Sequence, residues 1–245
     1  MIFRQCAAVE KDICWASVSG DETDGDTWTL VSDVGEAFAG VERAIDRLTT
    51  RFETDDVLLC LSEGRNFRYD VDETYKANRK GTRKPTCYAE VVRRACATWP
   101  HFSHDGLEAD DVLGIFASRD PVGSILVSED KDMKTIPCTL FQQGTLQKID
   151  RPTADWSFFY QVLVGDTADG YPGLPAVGPK KAEVILANAE GAVEHEKALW
   201  ANVKRAYEDR GLTAEDAIKQ ARLARILRDE DWCRETKTVK LWTPS

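Results

Sequence analysis

Four groups of carboxylates stand where regular elements should begin or end. Glu108, Asp110 and Asp111 open a helix expected over 107–118, in which Glu108 and Asp111, three apart, share a face while Leu107, Val112, Ile115 and Phe116 turn inward. Asp130 and Asp132 lie just past the C-terminal end of an apolar run at 124–128, where open α/β sheets place their ligands. Asp166 and Asp169, again three apart, follow a helix expected over 155–165, inside Gly165-Asp166-Thr167-Ala168-Asp169-Gly170. Glu63 follows the apolar run 56–62, at the same sheet edge as Asp130 if the strands are parallel. Converging carboxylates repel one another unless cations sit between them. Oxygen donors select hard ions such as Mg²⁺ or Mn²⁺, and two ions ~4 Å apart can activate a water and steady the leaving oxygen of a phosphodiester. Each pair alone reads more naturally as a helix-start charge or a solvated turn than as a metal site. It is their shared position at element ends, punctuated by Gly, that favours metal.

Other metal and covalent readings fail on spacing. An EF-hand starting at Asp130 would need an acid or amide where Lys134 stands and Gly where Thr135 stands. A carboxylate nucleophile within Asp130-Lys131-Asp132 has no Gly-rich phosphate cradle beside it. Seven scattered cysteines without a Cys-x-x-Cys pair, and three histidines without an i, i+4 pairing, argue against zinc and disulfides. They fit reduced thiols in a cytoplasmic protein.

The net charge of −10 should repel nucleic acid, so any DNA contact needs a local reversal of sign. Residues 75–94 supply one, with seven basic residues against a single acid. Within them Lys76, Arg79, Lys80, Arg83 and Lys84 are flanked by Tyr75 and Tyr88, a mixture suited to phosphate contacts with a stacked base or sugar. The alternative is a solvated helix face. A second basic element is Gly173-Leu174-Pro175-Ala176-Val177-Gly178-Pro179-Lys180-Lys181. There a Gly-rich turn opens into a helix with Pro in its first turn, and backbone N–H groups with Lys180 and Lys181 could grip phosphate without reading sequence. An ordinary corner between helices is the alternative.

The elements that must position these groups form a soluble globular pattern, with 42% hydrophobic and 30% charged residues and no apolar run near the ~20 residues of a membrane span. Neither a secretory leader nor a membrane partner is expected. Helices are expected over 2–17, 35–52, 86–98 and 107–118. Buried strands are expected over 56–62 and 124–128, and a further strand over 136–142. The short apolar run Trp28-Thr29-Leu30-Val31 follows an acidic turn at 21–26. Alternating strands and helices predict a mostly parallel α/β sheet. From about residue 153 the pattern becomes helical (155–165, 179–188, 192–209, 214–228), which predicts domains 1–150 and 151–245.

Tyr75-Lys76-Ala77-Asn78-Arg79, Gly106-Leu107-Glu108-Ala109-Asp110-Asp111-Val112, Ser128-Glu129-Asp130-Lys131-Asp132 and the run from Gly165 to Lys180 occur in one order. In that order they resemble the 5′-nuclease superfamily of flap endonucleases and 5′-3′ exonucleases, most nearly the stand-alone exonucleases of short-tailed phages. Asn66-Phe67-Arg68 and Ala224-Arg225-Ile226-Leu227-Arg228 extend the likeness. The resemblance implies a PIN-like α/β nuclease domain with a basic arch, and a helical lobe with a helix-three-turn-helix, often with K⁺ in its loop. It implies that Glu108, Asp110, Asp111, Asp130, Asp132, Asp166 and Asp169 bind two Mg²⁺ or Mn²⁺ ions. Lys76 and Arg79 would steer the scissile phosphate, and Gly173 to Lys181 would grip the duplex.

Two departures accompany it. The family carries an Asp at the end of a first strand, before the segment matching Ile2-Phe3-Arg4, whereas this sequence opens at Met1; and Glu63 stands where another Asp is usual. The expected function is a Mg²⁺-dependent 5′-3′ exonuclease on duplex, nicked or flapped DNA, with RNA primers in RNA–DNA hybrids as further substrates. The alternatives are a catalytically impaired DNA-binding remnant and a PIN-type ribonuclease on single-stranded RNA, which would not need the 173–181 turn.

Overall fold

The computed structural model describes residues 1–14, 28–79, 81, 83–187 and 194–244. The chain divides into two units, Met1–Leu59 with Gly81–Phe102, and Cys60–Lys80 with Ser103–Ser245.

In the first unit the helices Ile2–Val9, Val34–Phe52 and Tyr88–Thr98 bury Ile2, Cys6, Val41, Ile45, Val91 and Ala95. The Asp33 carboxylate starts the long helix by accepting from the Glu36 N–H (2.9 Å), and Glu53 ends it in the left-handed region (φ 51°). Gly40 lets the first helix approach closely, because a Cβ there would lie 2.4 Å from the Gln5 side chain. The helix expected over 2–17 stops at Val9, and Glu10–Cys14 pairs antiparallel with Trp28–Ser32. The reason lies in Glu10. Its carboxylate accepts from the Arg83 guanidinium (2.5 and 2.9 Å) and the Thr86 N–H (2.7 Å), and its backbone is extended. The acidic turn at 21–26 lies outside the described residues. The strand expected over 56–62 contracts to Leu59–Cys60, where the Leu59 N–H donates to the Pro100 carbonyl (2.9 Å).

In the second unit Ile125–Val127 pairs parallel with Cys138–Gln142, as expected, but Thr145–Ile149 adds an antiparallel strand, so this sheet is mixed. Gln143 and Gly144, both at positive φ (50° and 76°), close the two-residue hairpin, which needs that twist. Only Leu126 of the short parallel strand is buried; Ile125 and Val127 point to the other side and stay over a third exposed. Helices Ala109–Arg119 and Arg151–Val164 pack here, the latter capped by Asp150 on the Thr153 N–H (2.9 Å). The boundary expected near residue 150 falls inside this unit, because Ala154 is buried in one apolar cluster with Leu126, Met133, Ile136 and Leu140.

Helices Pro179–Ala187, His195–Glu208 and Ala214–Ala224 complete a second cluster around Phe158, Phe159, Leu199 and Tyr207. The helix expected to reach 228 ends at Ala224. Residues 225–228 run on outside any helix, held by buried ion pairs from Arg225 to Asp231 (2.8 Å) and from Arg228 to Asp155 (2.5 Å). No helix of the described residues is long and apolar enough to cross a membrane.

Candidate active site

Six carboxylates, those of Glu108, Asp110, Asp130, Asp132, Asp166 and Asp169, line one cavity of about 360 Å³ in the second unit. Each arrives from an element end. Glu108 is the residue before Ala109–Arg119, and its backbone N–H donates to Asp111 Oδ2 (3.1 Å) across the first turn. Asp130 and Asp132 follow the parallel strand; the Asp132 N–H donates to Asp130 Oδ1 (2.9 Å), and the Gln142 amide donates to the Asp130 carbonyl (2.7 Å). Asp166 and Asp169 belong to a turn that closes on itself, with Asp166 Oδ1 accepting from the N–H groups of Ala168 (2.7 Å) and Asp169 (3.2 Å). Gly165 and Gly173 make that closure possible. Both have positive φ (73° and 65°), and a Cβ on either would come within 2.4 Å of the backbone of the other arm.

The segment 74–79 is stitched onto this turn. The Lys76 N–H donates to the Asp169 carbonyl (2.9 Å), the Asn78 amide to the carbonyls of Thr167 (2.9 Å) and Ala168 (3.3 Å), and Arg79 Nε to Ala168 (3.0 Å). Lys76 Nζ thereby reaches Glu108 (2.6 Å) and Asp169 (3.5 Å), and the Arg79 guanidinium reaches Asp169 (2.7 Å). Six of the eight carboxylates expected to act together line this cavity, beside the two cations expected to steer phosphate.

Burial, then the facing charges of Asp130, Asp111 and Glu108, push the Asp110 carboxyl up to about 7. Burial and Asp130 push Asp132 up to about 6. Carboxylates so crowded favour a multivalent cation, and an all-oxygen donor set suits a hard one. Among the described residues no three of them stand close enough to share an ion without adjustment. The donor chemistry fits a hard divalent ion.

Several expected site residues lie elsewhere. Asp111 is fully buried and faces away from the cavity: Arg68 grips it with both terminal nitrogens (2.8 and 2.7 Å), and the Leu227 N–H donates to it (3.2 Å). Glu63 accepts from the Ser103 hydroxyl (2.5 Å) and does not line the cavity. Tyr75, expected as a stacking surface, is 2% exposed and donates its hydroxyl to Asp169 (3.0 Å) and Glu108 (3.2 Å). Arg83 and Lys84 belong to the first unit, Arg83 paired with Glu10 and Lys84 set over the Tyr88 ring. Lys80 lies outside the described residues. The Gly173 N–H donates to the Gln220 side chain (3.0 Å), while the Gly178 carbonyl accepts from Lys181 and Ala182 at the helix start. Lys180 is exposed, and Lys181 Nζ donates to the Ala176 carbonyl (3.0 Å).

Sequence reasoning missed Arg68 and Gln161 as cavity residues. Gln161, whose amide donates to Asp132 (2.7 Å), stands three after Phe158 on the buried stripe of its helix, and a polar residue in that register was the available signal. Arg68, among aromatic neighbours, gave none beyond its place in the motif.

Residues 31–149 match the family model of the 5′-3′ exonuclease N-terminal, resolvase-like domain. The chain is similar to the exodeoxyribonuclease of Enterobacteria phage T3, 29% identical over 283 positions covering 100% of this chain and 90% of that protein. It is similar to the exonuclease of Escherichia phage T7, 28% identical and covering 100% and 91%. Its fold is similar to that of the T5 D15 protein co-crystallised with metal ions, with a TM-score of 0.55 and 18% identity, over 79% of this chain and 82% of that one.

Proposed function

We infer, for a chain whose residues 31–149 match the model of the 5′-3′ exonuclease N-terminal domain and which is a 5′-3′ nuclease, that it hydrolyses duplex, nicked or flapped DNA in a Mg²⁺-dependent reaction. RNA primers in RNA–DNA hybrids would be further substrates. The observation that carries this reading is the convergence of six carboxylates with Lys76 and Arg79 on one cavity.

Glu108, Asp110, Asp130, Asp132, Asp166 and Asp169 would hold two Mg²⁺ or Mn²⁺ ions, as a metal-ion co-crystal of a fold relative also suggests. When bound, such ions supply Lewis acidity towards the phosphodiester and the attacking water. The chain's own part is positioning. Arg68 and Tyr75 fix Glu108, and Gln161 fixes Asp132. Lys76 and Arg79 offer cations to the scissile phosphate and draw the 5′ end towards the carboxylates. Outside the cavity, the turn 173–178 and the start of Pro179–Ala187, with Lys180 and Lys181, would hold duplex backbone. The Ala176 carbonyl of that loop is already met by the Lys181 ammonium, with which a K⁺ in the loop would compete.

The test follows 5′-labelled duplex with Mg²⁺ and then with EDTA. Mononucleotide or short-product release should stop on chelation and in the double variant Asp130→Ala, Asp166→Ala. Release that survives either change would refute the reading.

A further inference from the structure

We propose that Lys76 and Arg79 serve as the protein's own counter-ions in one half of the carboxylate cavity, so that a divalent ion binds that half weakly until a phosphodiester draws them away. This deepens the nuclease reading and rests on it.

The cavity's charges are unevenly compensated. In one half, Glu108 and Asp169 are held by Lys76 (2.6 and 3.5 Å), Arg79 (2.7 Å to Asp169), Arg68 (3.4 Å to Glu108) and the Tyr75 hydroxyl. The Lys76 side chain is 13% exposed and its ammonium lies 5.0 Å from the Tyr75 ring centre, so little water screens these pairs. In the other half, Asp110 and Asp132 both face Asp130, and Asp132 also faces Asp166; Lys76 acts on Asp110 from across the cavity without an ion pair to it. The ion pair of these four carboxylates among the described residues is Lys131 with Asp166, at 3.9 Å, and the Lys131 side chain is 81% exposed. A divalent ion therefore meets carboxylates with no close, buried counter-ion in the second half and resident ammonium and guanidinium groups in the first.

Backbone contacts decide how the first half can open. Lys76, Asn78 and Arg79 are bonded to the carbonyls of residues 167–169, so the segment does not drift away as a whole. The side chains must move instead. A phosphate offers both cations a new anionic partner, and a guanidinium a bidentate one. When it takes them, Glu108 and Asp169 are left facing each other without their counter-ions, and a divalent ion restores the balance. Phosphate and the second ion thus favour each other's binding, and the coupling runs equally in both directions.

The inference predicts metal binding without DNA. Titration with Mn²⁺, followed by electron paramagnetic resonance, should give one tight and one weak class of ion on the full chain. In Lys76→Met the weak class should tighten about tenfold, within the range of such couplings. Lys76→Arg, which keeps the charge, should titrate like the natural chain. Arg79→Met, at a half-exposed side chain, should tighten the weak class as well and serves if Lys76→Met does not fold. Unchanged or weaker Mn²⁺ binding in the Met variants overturns the inference while leaving the nuclease reading intact, and so does tightening in Lys76→Arg equal to that in Lys76→Met. A natural chain that binds no Mn²⁺ and releases no nucleotide overturns the nuclease reading itself.

Discussion

Asp110 and Asp111 are neighbours in the chain with opposite fates. About 100° apart on the helix, one faces the cavity and the other the buried guanidinium of Arg68. Spacing shows that acids open this helix but not which of them turns inward, because the answer depends on an arginine 43 residues away. Tyr75 was equally opaque: a tyrosine beside lysines reads as a stacking surface until its hydroxyl is seen between two carboxylates. Arg68→Met would leave the fully buried Asp111 without its cation, and should lower stability by about 3–5 kcal/mol in urea unfolding. The raised Asp110 and Asp132 make a second prediction. The native protein holds protons that the unfolded chain would release, so without metal it gains from these groups near pH 4 and loses that gain as pH rises through about 6 and about 7. Melting in EDTA should fall between pH 5 and pH 8, and Mg²⁺ should reverse most of the fall at the upper end.

Elements with local signals were legible and those set by distant pairing were not. Val34–Phe52 and Arg151–Val164 carry helical periodicity and Asp caps in the sequence, and both formed within a few residues of expectation. Glu10–Cys14 has no strand signature of its own; it becomes a strand by pairing with 28–32 and by the hold of Arg83 on Glu10. The hairpin at Gln143-Gly144 was written in a short turn, but the strand after it, Thr145-Leu146-Gln147-Lys148-Ile149, is too polar and too exposed to read as a buried run. The turn from Gly165 to Gly173 tests how tightly one element is specified. Gly173→Ala meets both a positive φ and backbone at 2.4 Å, and should cost more than about 1 kcal/mol. Calorimetry should show melting lowered by at least about 2–4 °C.

For the whole molecule, four motifs in fixed order made the resemblance to the 5′-3′ exonucleases legible, and residues 31–149 match that family's N-terminal domain model. The division into two units was not legible, because the second unit takes in 60–80 and resumes only at 103. Charge is arranged on the same scale, with a chain of net −10 confining its attraction for polyanions to a few places. Replacing Lys180 and Lys181 with Ala should weaken duplex binding alike for all sequences. It should flatten the slope of log affinity against log salt by about 0.9 for each phosphate that the protein no longer neutralises, read from anisotropy at several salt concentrations. Mn²⁺ uptake should not change. The extended run after Ala224 has a temporal consequence. Leu223, Ala224 and Ile226 form part of the cavity wall, and Leu227 and Arg228 are anchored against Asp111 and Asp155 from residues made much earlier. The proposed centre is therefore complete only once residues 223–228 have been made and folded into place, so arrested nascent chains ending at 220 should release no nucleotide from labelled duplex while chains carrying residues 1–245 do.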